Sequence, residues 1–264
     1  MTHFAPKYIL HFVFINVFTE VYKMKVSIRC LEKKLSQILP LAEAYQRSYN
    51  KLSQGYKSPE EMALYTRGYF LKKLWKMAED KDSVVAVLNI DDKPCGFVRY
   101  SAIPEYYTNP VNGQSRDLEK GMLDGFEFAW YRKVNFERDV PLNNKTLIVN
   151  QIYLDPQIQR CGLGTYLLSK TIPELKKQGY ESLIIEYNAH NENAEKFYRG
   201  FGFRAFAKTQ DFDHIIKKNG KTTFCISDVA IAHTTIDNAI NCMREKQLSK
   251  TYITMVQQKN GKSY

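Results

Sequence analysis

Two groups of residues between Leu147 and Phe203 have the types and the spacing to do chemistry. The first is Gln159-Arg160-Cys161-Gly162-Leu163-Gly164-Thr165. Glycines at 162 and 164 let successive backbone N–H groups turn inward with no Cβ in the way. A helical pattern from Thr165 to Gln178 places those donors at the positive end of a helix, a site for a phosphate group. The second group is Asn191-x-x-Ala194-x-x-Phe197-Tyr198, closed by Gly202-Phe203. Asn191 is a favoured N-cap, and Ala194, Phe197 and Tyr198 share one helix face. Asn191 and Tyr198 stand about two turns apart on the same side. Phe197 reads as core, and Tyr198 could be core as well. Packing alone does not explain an amide and a phenol aligned beside a phosphate-type loop.

Strands and helices must hold these groups in place. Leu147–Leu154 is a β-branched and apolar run that reads as a strand, stopped by Asp155-Pro156. Gly179 closes the following helix, and Pro173 inside it should remove a hydrogen bond or kink it. Leu183–Tyr187 is the next strand, and Phe203 begins another. Other glycine loops fit less well. A nucleotide-triphosphatase loop needs Lys-Ser or Lys-Thr after its last glycine, where this chain has Thr165-Tyr166. The dinucleotide fingerprint gains from Glu186, near the end of the next strand. It loses at Leu167, too large for the third glycine position.

Taken together and in order, the two motifs resemble those of the GNAT acyl-CoA N-acetyltransferase superfamily. Gln159 to Gly164 fits its Arg/Gln-x-x-Gly-x-Gly/Ala loop, and Asn191 to Phe203 fits its second signature. The resemblance implies an α/β (α+β) fold with a mixed, V-splayed sheet of about seven strands flanked by helices. It further implies that acetyl-CoA is the acyl donor, with its pantetheine arm between the family's fourth and fifth strands. Tyr153 and Leu154 at the end of the fourth strand would then touch the cofactor, with the Leu154 N–H polarising the carbonyl. The loop amides of 159–165 would hold the pyrophosphate, Asn191 would contact the cofactor, and Tyr198 would protonate the departing thiolate. The chain departs from the pattern at two places. Cys161 stands where a basic residue is frequent, with Arg160 beside it as compensation. The fourth strand offers Asn150 and Gln151 in place of the usual glutamate. Glu186 is the nearest acidic candidate for the general base, and a water relay or an unprotonated amine would serve as well.

Composition agrees with a globular enzyme. The chain has 264 residues, enough for one large domain with extensions, and its 44% apolar content suffices for a core. Five cysteines without a CxxC pair argue against a disulfide framework or a zinc site, and five scattered histidines form no metal constellation. A net charge of +10 favours anionic partners, and acetyl-CoA is one. The lysines are spread rather than striped, so no nucleic-acid partner is expected. Tyr8–Phe18 is apolar but too short to span a bilayer and lacks the flanks of a signal peptide. No membrane role is expected, and a cytoplasmic location follows.

The remaining elements read as a strand at 25–31, a helix at 35–49 and a long helix opened by Ser58-Pro59-Glu60-Glu61. A hairpin covers 83–102, and closing strands lie at 203–208 and 222–231, joined by a turn at 217–220. The domain is expected over 24–232, with extensions at 1–23 and 233–264, the latter read as a solvated tail with a helix near 236–248. Between the family's third and fourth strands about forty residues, 103–146, form an aromatic-rich insertion. It either walls the acceptor pocket, mediates pairing, or packs as a satellite helix. The expected reaction is transfer of an acetyl group from acetyl-CoA to a primary amine by direct attack in a ternary complex. A non-catalytic CoA-binding or interaction protein of the same fold is the alternative.

Overall fold

Apolar runs with period two pair into one mixed sheet, and that sheet aligns the two motifs. The computed structural model describes residues 17–19, 24–53, 62–63, 65–104, 107, 115–123, 126–137, 139–216 and 222–246. Strands are β1 Val17–Thr19, β2 Met24–Cys30, β3 Ser83–Ile90, β4 Lys93–Ala102, β5 Ser115–Leu123, β6 Phe126–Phe136, β7 Thr146–Leu154, β8 Ser182–Asn188, β9 Arg204–Ile216 and β10 Thr222–Thr235. Helices are α1 Leu35–Ser53, α2 Arg67–Glu79, α3 Leu163–Lys177, α4 Glu192–Arg199 and α5 over 236–246. The ten strands lie in the order β1-β2-β3-β4-β7-β8-β10-β9-β6-β5. Every neighbouring pair is antiparallel except β7–β8. Seven of these are the strands expected from sequence; β1, β5 and β6 are added at the two edges.

Two apolar layers sandwich the sheet. On one face α3 and α5 bury Leu167, Leu168, Ile172, Leu175, Ile236, Ala239 and Met243 against Leu147, Val149, Leu183 and Ile185. On the other, α1 and α2 bury Ile38, Leu41, Tyr45, Phe70 and Leu74 against Val85, Val87 and Phe97. A third cluster on this second face joins Tyr107, Ile148, Ile184, Phe206 and Ile231. Helix α3 runs through Pro173 unbroken. It is tied to the sheet by Tyr100 and Thr171, whose hydroxyl oxygens lie 2.6 Å apart in the core.

The hairpin expected over 83–102 is in place and turns at Asp91-Asp92, both with positive φ as its twist requires. Other expectations are corrected. The long helix does not run on from the cap at 58–61, which lies outside the described residues. It breaks at Tyr65, and Thr66 caps α2 by accepting a hydrogen bond from Tyr69 N. Helix α1 continues to Ser53, so its last turn reaches the site. Residues 233–246 are not a solvated tail. Strand β10 passes through 232 to Thr235, and α5 packs Ile236, Ala239 and Met243 into the main core. The satellite helix expected as one reading of the insertion is a hairpin, β5–β6, which pairs along β9 from Glu127↔Ile216 to Phe136↔Ala207. Residues 1–16, the turn at 217–220, the tail from 247 and the side chains of Phe126, Phe128, Trp130 and Tyr131 lie outside the described residues.

Gly96 shows how tightly β4 meets β7. A Cβ there would stand 2.5 Å from Leu154 Cδ2 and 2.6 Å from the Tyr153 carbonyl oxygen. Backbone cannot yield as a side chain does. Gly96→Ala is therefore expected to destabilise by about 1–3 kcal/mol, the usual cost of overpacking. Thermal denaturation checks this, and an unchanged melting temperature would show that the strand pair has slack.

Candidate functional site

A backbone irregularity opens the site. Arg99 pairs with Gln151 but Tyr100 pairs with Val149, so Asn150 is an extra residue in β7. Such a bulge bends its strand and increases the local twist. The parallel ladder with β8 ends at once, at Val149↔Ile185. Beyond that point β7 and β8 diverge around a cleft of about 270 Å³. Asn150, Gln151 and Ile152 line one wall, Glu186, Tyr187 and Asn188 the other, and Asn191 and Tyr198 reach in from α4. Tyr49 and Ser53 reach in from the end of α1.

The cleft wall carries unused backbone donors. Asp155 N donates to Cys95 O at 2.8 Å, and the register continues through Tyr153↔Phe97. Antiparallel pairs alternate, so the N–H groups of Ile152 and Leu154 point away from β4, toward the space β8 has left. Tyr153 turns its amide to β4 and its ring to the opposite core, 4.2 Å between centroids from Tyr45 and 5.8 Å from Phe97.

The glycine loop begins where β7 stops. Asp155 caps a 3-10 turn at Pro156–Ile158 by accepting from Gln157 N at 3.1 Å, and it pairs with Arg47 of α1. Gln159 braces the loop: its Nε2 donates to Leu154 O at 3.0 Å, and its Oε1 accepts from Lys51 Nζ at 3.2 Å. Arg160 and Gly162 both have positive φ, +67° and +79°, and Gly162 is the N-cap of α3. The first intrahelical bond is Tyr166 N to Gly162 O at 2.9 Å. The amides of Leu163, Gly164 and Thr165 precede it and project from the helix N-terminus. Gly164 serves packing more than turning: a Cβ there would meet Leu154 and Phe197 at 3.4 Å. Cys161 is exposed on the loop.

Helix α4 carries the second motif. Asn191 Oδ1 accepts from Ala194 N at 3.0 Å, so the cap expected from sequence is in place while the residue lines the cleft. Tyr198 is buried, with its ring 5.1 Å from Phe197 and 5.6 Å from Tyr187 between centroids. Burial, and then the neighbouring phenols of Tyr153, Tyr100 and Tyr187, push its hydroxyl above the usual phenol range. It therefore holds its proton. Glu186 shares a face of β8 with buried Ile184, on the α1 side of the sheet, where Tyr107 donates a hydrogen bond to its Oε1.

Of the sequence-predicted residues, Tyr153, Glu186, Asn191 and Tyr198 line the cleft, whereas Leu154 ends β7 and 159–165 form the loop that follows it. Those that sequence reasoning missed are Tyr49, Ser53, Gln151 and Tyr107. Gln151 Oε1 is buried and has no hydrogen-bond partner. The set fits a ligand bearing a pyrophosphate and an extended amide arm. Loop amides with no partner inside the helix suit the anion, and the strand-edge N–H groups of Ile152 and Leu154 suit the arm. Among the described residues no His, Cys, Asp and Glu side chains gather as a metal site, and no helix is long and apolar enough to cross a membrane.

Comparisons with known proteins agree with this arrangement. The chain is similar to an uncharacterised N-acetyltransferase of Methanocaldococcus jannaschii, 22% identical over 77% of this chain and 72% of that one. It is 42% identical over 64 residues to the ribosomal protein bS18 alanine N-acetyltransferase of Escherichia coli, a match spanning 24% of this chain and 42% of that enzyme. Among solved structures, a protein of Bacillus halodurans aligns with a TM-score of 0.53 at 11% identity, over 90% of this chain and 97% of that one. A ribosomal L7/L12 α-N-protein acetyltransferase in complex with coenzyme A aligns with a TM-score of 0.51 at 12% identity, over 81% and 95%. At such identities these two structures speak for the fold alone. The sequence profile of the acetyltransferase (GNAT) family matches residues 42–203, a span that starts within α1 and holds the splayed strands, the glycine loop and α4. The chain belongs to that family and is an acyl-CoA-dependent acetyltransferase.

Proposed function

We propose that this enzyme moves an acetyl group from acetyl-CoA to a primary amine by direct attack within a ternary complex. The observation that carries this reading is the splay between β7 and β8. It brings Glu186, Tyr198 and Ile152 to one cleft that the end of α1 also lines, with the Leu154 strand-edge amide next along β7 before the glycine loop. Acetyl-CoA supplies a thioester carbonyl for the amine to attack. The amides of 163–165 hold its pyrophosphate at the helix N-terminus, with Arg160 adding charge nearby. The Leu154 N–H donates to the oxygen on which negative charge develops. Glu186 takes a proton from the attacking nitrogen, and Gln151 Oε1 accepts a second N–H of the amine. As the C–S bond breaks, the Tyr198 hydroxyl gives its proton to the departing sulfur.

Two relatives are named for acting on protein amino groups, so a peptide beginning with alanine is the first acceptor to assay, beside a lysine peptide and small amines. The test is steady-state kinetics with both substrates varied, thiol release read against mass gain of the acceptor. Intersecting double-reciprocal lines and one acetyl group transferred per thiol are expected. Parallel lines would indicate a covalent acyl-enzyme and overturn direct attack.

A further inference from the structure

We propose that Tyr107 is a positioning residue for the general base, so that the insertion completes the catalytic site. This rests on the reading of Glu186 as that base. Glu186 stands on β8 beyond the point where the β7 ladder ends, so the neighbouring strand no longer constrains it on that side. Its carboxylate is half-buried and belongs on the face shared with Ile184. Left to itself, a glutamate there could swing through several rotamers, and a proton acceptor must be held within hydrogen-bond reach of the amine. Tyr107 supplies the constraint. Its side chain is 2% exposed, packed with Ile148, Ile184, Phe206 and Ile231, and its hydroxyl donates to Glu186 Oε1. The phenol is itself locked by the cluster and by Tyr107 N, which donates to Pro104 O at 3.0 Å.

The placement depends on the insertion. Ile103, at its start, and Phe136, Val140 and Leu142, near its end, pack against the same cluster. The two ends of the segment therefore clamp Tyr107 beneath β8 and β10, while the hairpin between them extends the sheet beyond β9. His233 of β10 pairs with Ile184, two positions before Glu186, with its ring against Phe206. Strand β7 presents the neutral Asn150 and Gln151 to the cleft. Tyr107 donates to the carboxylate from within the buried cluster.

Tyr107→Phe keeps the ring in its cluster and removes only the donor. Its expected effect is a fall of roughly ten- to a hundredfold in kcat, the range of a lost hydrogen bond to a charged group, with the acetyl-CoA KM within twofold of wild type. Incorporation of 3-fluorotyrosine at 107, a stronger donor of nearly the same size, should restore kcat. Glu186→Gln separates the inference from its premise. If Glu186→Gln is as active as wild type, the base reading fails and the proposal with it. If it is impaired, Tyr107→Phe added to it should cost nothing more. An undiminished Tyr107→Phe effect in that background, or a single variant with wild-type kcat, would overturn the proposal while leaving Glu186 as the base.

Discussion

Gly162→Val is expected to abolish the rise in melting temperature that acetyl-CoA should give the wild-type protein. A ligand bound only by the native state stabilises it by mass action, about 2.7 kcal/mol at a hundredfold excess over Kd, or roughly 5–10 °C for a domain of this size. Gly162 is the N-cap of α3 at φ +79°, and a Cβ there would meet nothing within 4 Å. The harm is therefore conformational, not steric: valine is strained in the left-handed region and turns the amides of Leu163 and Gly164 away from the anion. Gly179, at φ +87° with equally open space, ends the same helix away from the loop. Gly179→Val carries the same strain and is expected to keep the full acetyl-CoA shift. A normal shift in Gly162→Val would sink the loop assignment. A shift with NADH or ATP in place of acetyl-CoA would point to the other glycine-loop chemistries.

Much of this site was legible in the chain because it is written in local chemistry. Glycines that must adopt positive φ, an N-cap three residues before its hydrogen-bonded amide, and i, i+3, i+4 packing all act within a few residues of sequence. Gly162, Asn191 and Tyr198 could thus be placed before any fold was known. The seven strands were legible for the same reason, as apolar runs between turn residues. What escaped depends on pairing across the sheet. The bulge at Asn150 exists because of how β7 registers with β4, and no residue type in LIVNQIYL announces it. Helix α5 has buried positions at 236, 239 and 243, a helical period, yet its polar composition masked the one apolar face that closes the core. Tyr107 was one aromatic among several in the insertion. Its bond to Glu186 joins residues 79 apart in sequence, and only the folded sheet reveals it.

Tyr198→Phe is expected to lower turnover by about a hundredfold or more, as removal of a positioned proton donor does, while acetyl-CoA affinity stays within twofold of wild type. The substitution is nearly isosteric. The ring keeps its contacts with Tyr187, Phe197 and Phe203, so the fold and the loop are undisturbed. What disappears is one hydroxyl in the cleft. An ordinary thiol ionises at about 8.5, below a phenol at about 10, so in water a phenol is a poor acid toward a thiolate. The cleft changes this comparison. Burial raises the Tyr198 hydroxyl, and the same burial penalises a thiolate formed beside it, so the departing sulfur takes up a proton more readily there than in water. Because the shift is upward, the phenol stays protonated through neutral and mildly basic solution, and Tyr198 contributes no basic limb to the wild-type rate profile below about pH 10. Single-turnover measurements isolate the chemical step from product release. If kcat is unchanged there, Tyr198 is a packing residue and the departing sulfur takes its proton from water.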